Sequence, residues 1–164
     1  MDKDDPARRL LIVWHSRTGA SEAMARAAAE AAGDAVLMRA DAVGAEALLD
    51  AAGYLFVCPE NLAAMSGEMK EMFDRSYYAV LGRVEGRPYA TIIAAGSDGE
   101  GAQRQIDRIA TGWRLSRVAD SMIVNFGAQT PEAIAAPKQV PQKTLNECRE
   151  LGAALAEGLR LGIF

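Results

Sequence analysis

The sequence predicts a doubly wound α/β fold: a three-layer sandwich in which a five-stranded parallel sheet of order 2-1-3-4-5 carries helices on both faces. Three observations lead there. From Leu10 onward, short apolar runs alternate regularly with segments of helical period, the pattern of parallel strands covered on both sides. Crossovers between such strands are right-handed, which fixes which loops share an edge of the sheet. The loops after strands one, three and four, which that topology sends to one edge, are all rich in glycine, serine and small polar residues, and ligands bind at that edge, where the strand order reverses.

Residues 1–9 are polar and are expected to form a flexible N-terminus ahead of one domain spanning 10–164. The first strand is the run Leu10-Leu11-Ile12-Val13-Trp14. The first helix runs from about Gly19 to Ala32, with Met24, Ala28 and Ala31 on its inner face and Gly33-Asp34 as its stop. Ala35 to Arg39 reads as strand two and Glu46 to Asp50 as part of a short helix. Strand three is Tyr54 to Cys58, ended by Pro59, which lacks a ladder donor. A loop over 59–67 leads to a helix with Met69, Met72, Phe73 and Tyr77 at helical spacing, for which Ser66 is a cap. Tyr89 to Ala95 forms strand four, followed by the loop Gly96-Ser97-Asp98-Gly99-Glu100-Gly101 and a helix turning Ala102, Ile106, Ile109 and Trp113 inward. Strand five is Ser121 to Phe126. A link containing Pro131, Pro137 and Pro141 precedes the last helix, which opens on a capping box, Thr144 with Glu147. Its buried stripe is Leu145, Cys148, Leu151, Leu155 and Leu159.

The first strand breaks into His15-Ser16-Arg17-Thr18-Gly19-Ala20-Ser21. The first N–H groups of a helix lack partners and carry the positive end of its dipole, so a phosphate satisfies both. Ser16, Thr18 and Ser21 add hydroxyls, and Gly19 frees the backbone for a close approach. A Walker A loop needs a Gly-Lys-Ser/Thr ending, and a dinucleotide turn needs three glycines; neither is present. The alternative is a plain strand-to-helix turn in which Ser16 or Thr18 only caps the helix.

Composition narrows the classes. The net charge is −4, which disfavours a nucleic-acid partner yet is mild for an acidic electron shuttle. No apolar run reaches membrane-spanning length and the N-terminus lacks signal-peptide character, so a cytoplasmic protein without a membrane span is expected. Two cysteines without paired spacing, Cys58 and Cys148, fit a reducing compartment better than a disulfide framework or a metal site.

Three segments then carry a family resemblance. Ser16 to Ser21, Pro59-Glu60-x₄-Met65-Ser66-Gly67-x-Met69-Lys70 with Phe73-Asp74-Arg75, and Gly96-Ser97-x-Gly99-x-Gly101 together resemble the flavodoxin-like NAD(P)H-dependent FMN reductases, including the WrbA type of quinone reductase, from Leu10 to Leu159. The resemblance implies a flavodoxin-like fold with bound FMN and NADH or NADPH as co-substrate. It places the FMN phosphate on Ser16, Arg17, Thr18, Gly19, Ala20 and Ser21. The isoalloxazine falls against Pro59, Glu60, Asn61, Leu62 and Met65, with Ser97, Asp98 and Gly99 along its other edge. Two departures stand out: Asn61-Leu62-Ala63-Ala64 holds less glycine than the family's second loop, and Arg17 stands where WrbA-type turns carry an aromatic residue.

Electron-carrier flavodoxins clamp the flavin between aromatic side chains of the second and third loops, and neither loop has one here. An open ring face suits hydride transfer, which needs donor and acceptor near van der Waals contact. The expectation is therefore a reductase that uses NAD(P)H to reduce a flavin, quinone or similar small acceptor, with a one-electron carrier as the alternative. The redox chemistry is the flavin's, so no catalytic side chain is named. His15 reads either as a proton donor to a quinone or as a wall of the loop; Arg17 as a phosphate partner, a contact for an NADPH 2′-phosphate, or a solvated side chain; Glu60 as a contact of the flavin edge or a solvated carboxylate. Met65, Met69 and Met72 follow a helix face and read as core. Tyr77 and Tyr78 are neighbours that cannot both face the core, and one is a candidate for a homo-oligomer interface. A response-regulator receiver domain shares the strand order, but its acidic and lysine positions are occupied here by Trp14-His15, Cys58-Pro59 and Asn125-Phe126.

Overall fold

The computed structural model describes residues 9–164; the expectation of a flexible N-terminus falls almost wholly on residues 1–8, outside the described residues. The strands are β1 (Leu10–Trp14), β2 (Val36–Arg39), β3 (Gly53–Asn61), β4 (Ala64–Met65), β5 (Pro88–Ala95), β6 (Ser116–Arg117) and β7 (Met122–Asn125). The helices are α1 (Ala20–Ala32), α2 (Ala45–Asp50), α3 (Gly67–Val80), α4 (Glu100–Gly112), α5 (Pro131–Ala135) and α6 (Gln142–Leu161). The main path of the sheet is β2-β1-β3-β5-β6, with β7 also paired to β5 and β4 paired to β3. Every pairing is parallel except the β3–β4 hairpin. The expected order 2-1-3-4-5 is thus present with its fifth strand split. Pro88 and Tyr89 pair with Ser116 and Arg117, and Ile92 to Ala95 pair with Met122 to Asn125.

Side chains alternate across the central strands and fill two cores. On one face Leu11, Val13, Tyr54, Phe56, Cys58, Tyr89 and Ile93 meet Met69, Met72 and Phe73 of α3 and Ala102 and Ile106 of α4. Phe73 anchors this side, its ring centroid 4.9 Å from Phe56 and 5.3 Å from Trp113. On the other face Leu10, Ile12, Leu55, Val57, Ala90 and Ile92 meet α1 and α6. Those helices pack backbone to backbone: a Cβ on Gly152 would collide with the main chain of Ala28, so the alanines of α1 are a packing surface. Its inner stripe continues from Met24 and Ala28 to Ala32, while Ala31, expected inside, is exposed. Among the described residues no helix is long and apolar enough to cross a membrane.

Further local expectations are corrected. Pro59 does not end the third strand: it pairs in register with Ala94, and β3 continues to Asn61 before a tight turn into β4. A proline costs a strand only the bond its own nitrogen would donate. Thr144 does not open the last helix, which begins at Gln142 after Pro141, placing Thr144 inside the first turn and leaving the capping box unformed. The proline-rich link contains α5, started by Thr130, whose hydroxyl accepts from the N–H of Ala133 at 3.2 Å, with Pro131 in the first turn. Ser66 precedes α3 but its hydroxyl makes no cap bond. Tyr77 and Tyr78 are both exposed, their rings 4.9 Å apart.

Candidate functional site

The turn after β1 is shaped locally. The His15 N–H donates to the carbonyl of Val57 at 3.0 Å, keeping the chain in line with the sheet for one more residue. Ser16 Oγ then accepts from the N–H of Gly19 at 3.1 Å, closing a small ring that turns the chain into α1. Gly19 has φ 97° with open space where a Cβ would stand, so glycine is required for its conformation and not for room. The first intrahelical bond of α1 is made by Ala23 to the Gly19 carbonyl, which leaves the preceding N–H groups without helical partners. Ser21 adds a side chain only 1% exposed whose Oγ has no hydrogen-bond partner. A buried hydroxyl left unpaired costs free energy, and such groups normally have partners.

Two further loops reach the same rim. The turn joining β3 to β4 has Leu62 and Ala63 at φ 54° and 60°, the left-handed pair of a two-residue hairpin. Glu60 ties this hairpin to α4, its carboxylate oxygens accepting from the N–H groups of Gly99 at 2.8 Å and Ala102 at 3.0 Å. A carboxylate at a helix N-terminus is favoured by the orphan N–H groups and the dipole. Gly101 lets the hairpin lie against α4, since a Cβ there would collide with the Ala63 carbonyl. Asn61 is half-buried, with its Nδ2 buried and unpartnered.

A fourth segment closes the rim. Residues 126–138 run from the third loop, where the Ala128 N–H donates to Gly96 at 2.9 Å, to the first, where the Lys138 N–H donates to the Thr18 carbonyl at 2.8 Å. Between them lies a cleft of about 290 Å³ lined by Arg17, Thr18, Ala20, Pro59, Glu60, Asn61, Ala94, Ala95, Gly96, Phe126, Ala128, Ile134, Ala135 and Lys138.

Of the residues expected to hold a cofactor, Arg17, Thr18, Ala20, Pro59, Glu60 and Asn61 line this cleft, and Ser16, Gly19 and Ser21 build the turn at its end. The other five belong neither to the lining nor to the turn. Leu62 is fully exposed at the hairpin tip, Met65 is packed into the core, Ser97 and Asp98 are exposed, and Gly99 is the N-cap of α4. Glu60 is neither solvated nor free, being committed to α4. The strap over 126–138 was not legible as part of a site. Thr130-Pro131 signals a helix start, but nothing in the sequence places that helix over the cleft. The strap also brings Phe126 to the cleft, so an aromatic side chain is present there although the second and third loops have none.

His15 is a wall. It is 1% exposed, its Nδ1 lies 2.7 Å from Ser66 Oγ and its Nε2 lies 2.9 Å from Glu68 Oε2, which Arg39 also reaches at 3.3 Å. Burial holds its pKa below the ordinary 6.5, with Glu68 pulling the other way. A neutral ring donating Nε2–H to Glu68 and accepting the Ser66 hydroxyl proton at Nδ1 satisfies every group. The thiols offer no nucleophile: burial pushes Cys58 up to about 12 and Cys148 up to about 11.

A parallel sheet of this order, with its cleft at the strand reversal, defines a flavodoxin-like α/β protein. The model of the NADPH-dependent FMN reductase family matches residues 42–129, just over half of the chain, and the chain belongs to that family. Solved structures agree on the fold. A flavodoxin from the domain Archaea is 19% identical with TM-score 0.77, over 93% of this chain and 99% of that one. The WrbA-like flavodoxin of Agrobacterium tumefaciens is 19% identical with TM-score 0.74, over 93% and 98%. A flavone reductase is 15% identical with TM-score 0.73, over 93% of this chain and 63% of that one. No curated protein matches the chain in sequence. Family membership supports an FMN-binding oxidoreductase.

Proposed function

We propose that this protein binds FMN in the cleft and uses NAD(P)H to reduce a flavin, quinone or similar small acceptor. One observation carries the reading: the turn that lines the cleft through Arg17, Thr18 and Ala20 leaves the first N–H groups of α1 without helical partners, and the next residue, Ser21, carries a buried, unpartnered hydroxyl. That donor set fits a phosphate monoester, which supplies acceptor oxygens and negative charge together. The one carboxylate in the lining, Glu60, is already engaged by two N–H groups and so opposes an anion less than a free one would.

Ser16, Thr18, Gly19 and Ser21 would hold the phosphate, and Pro59, Asn61, Ala94 and Ala95 would border the rest of the cofactor. FMN, when bound, supplies two-electron redox chemistry that no side chain of the cleft can perform. The chain's share is binding, orientation and exclusion of water. The hairpin and the strap both wall the cleft, and the buried Asn61 Nδ2 offers a donor to a polar edge. His15, with both nitrogens engaged, takes no part in proton transfer. Cytoplasmic residence and the choice of NADH or NADPH belong to the same proposal.

Phe126 favours a second reading, a one-electron carrier, because an aromatic wall is what such carriers place beside the flavin. Anaerobic titration separates the two. Protein loaded with FMN is expected to bleach on adding NADH or NADPH and to recover its colour with a quinone. Flavin held tightly but bleached by neither nicotinamide supports the carrier, and no FMN binding by fluorescence quenching or calorimetry overturns both.

A further inference from the structure

We propose that Lys138 is the specificity-determining cation of the cleft, selecting the phosphorylated flavin over riboflavin; this rests on the FMN reading above. Lys138 lies in a segment that no expectation linked to a cofactor, and three independent features single it out. It lines the cleft together with Arg17 and Thr18, at the end where the turn into α1 supplies phosphate donors. Its own N–H donates to the Thr18 carbonyl at 2.8 Å, which fixes the strap to that turn and sets the position of its Cα against it. Its Nζ donates to the carbonyls of Ala133 at 2.9 Å, Ile134 at 3.0 Å and Ala136 at 2.6 Å, at the end of α5.

Those three partners matter for what they are. Carbonyl dipoles orient an ammonium without cancelling its charge, and among the described residues no carboxylate pairs with Lys138. The group is therefore a cation held in place before any ligand arrives, so little side-chain entropy remains to be lost on binding an anion. Arg17, the other cation of the lining, is exposed on the turn itself and has no such anchors. The hydroxyls and N–H groups of the turn recognise phosphate by hydrogen bonds. Lys138 adds the charge that riboflavin, ending in a neutral hydroxyl, cannot use.

The test compares two ligands that differ only in the phosphate. FMN and riboflavin affinities are measured by flavin fluorescence quenching for the wild-type chain, Lys138→Gln and Lys138→Arg, with circular dichroism confirming the fold. The wild type is expected to prefer FMN. Lys138→Gln should weaken FMN roughly threefold to tenfold, the worth of a cation acting on the phosphate through space, since its three N–H donors stay with the α5 carbonyls. Riboflavin should change less than about twofold, because it makes no use of the charge, and Lys138→Arg should restore most of the preference. Equal losses for both flavins would assign Lys138 to holding the strap alone and overturn the inference, as would unchanged FMN affinity. Should Lys138→Gln not fold, Lys138→Met, which keeps the side-chain length without the charge, is read in the same way, and riboflavin bound to the wild type as tightly as FMN overturns the inference in either case. A wild type that binds neither flavin removes the FMN reading itself, and this inference with it.

Discussion

At the turn between β1 and α1, the binding groups are main-chain N–H groups and short hydroxyls, and the reversal itself is closed by a bond spanning only three residues, Gly19 N–H to Ser16 Oγ, although His15 and Thr18 are also tied to Val57 and Lys138. Elsewhere on the rim the hairpin of β3 and β4 holds its place through Glu60, bonded to α4 across 39 and 42 residues of chain. The conformation at Gly19 is set by a neighbouring residue, whereas the hairpin is held in place by the packing of distant ones. A substitution at the turn should therefore strike ligand binding directly while the sheet stays folded. One at the hairpin should change stability first and binding second.

The largest effect is expected from Gly19→Val. Glycine holds φ 97° there, a region costly for any residue with a Cβ and most so for a branched one. The main chain would move out of the conformation that presents the first N–H groups of α1. FMN affinity should fall on the order of a hundredfold, the loss of two or more hydrogen bonds to a charged phosphate. Far-UV circular dichroism should be unchanged, since Gly19 lies outside both cores. Full FMN affinity in this variant would show that the phosphate does not rest on the turn.

This contrast also explains what the sequence disclosed. The turn was legible from Ser16, Thr18, Gly19 and Ser21 because hydroxyls and a glycine at that spacing state their own geometry. The central strands were legible because they are buried on both faces and read as apolar runs. The hairpin was not, because Pro59 resembles a stop and Leu62-Ala63 carries none of the asparagine-glycine signal of a left-handed turn. Nor was the strap: Phe126, Ile134 and Lys138 are ordinary residues until the chain is folded across the cleft. Ser66 shows the same limit on a smaller scale. Its position promised a helix cap, and a histidine 51 residues away claims the hydroxyl instead.

That histidine gives an expectation of intermediate size, measured by pH. His15 titrates below 6.5 in the folded chain because burial opposes its charge, with Arg17 and Arg39 acting in the same direction and Glu68 and Asp41 against. Between that lowered value and 6.5 the unfolded chain binds a proton that the folded chain does not, so stability must fall as pH drops through 6.5. Urea midpoints measured from pH 7.5 downward should decline more steeply for the wild type than for His15→Asn, which has no proton to bind. Parallel slopes would mean that burial leaves the His15 ring unshifted, and a shallower decline for the wild type would mean that the ring is charged in the fold, paired with Glu68 as an ion.

The smallest effect tests the hairpin itself. Leu62 and Ala63 adopt left-handed angles without the residues that favour them, and Leu62 is fully exposed, so its side chain contributes no packing that would compensate. Replacing the pair with asparagine and glycine, Leu62→Asn with Ala63→Gly, should relieve that conformational cost. Added glycine freedom in the unfolded chain offsets part of the gain, leaving a net stabilisation of about 1 kcal/mol or less, read as a higher urea midpoint at constant slope. FMN affinity should barely move, because Leu62 lies apart from the cleft lining and Glu60 still anchors the hairpin to α4. A drop in stability would show that the alanine methyl or the leucine side chain is held by contacts the exposed tip does not reveal. A drop in FMN affinity with stability unchanged would bring Leu62 back among the cofactor contacts and move the ring toward the hairpin tip.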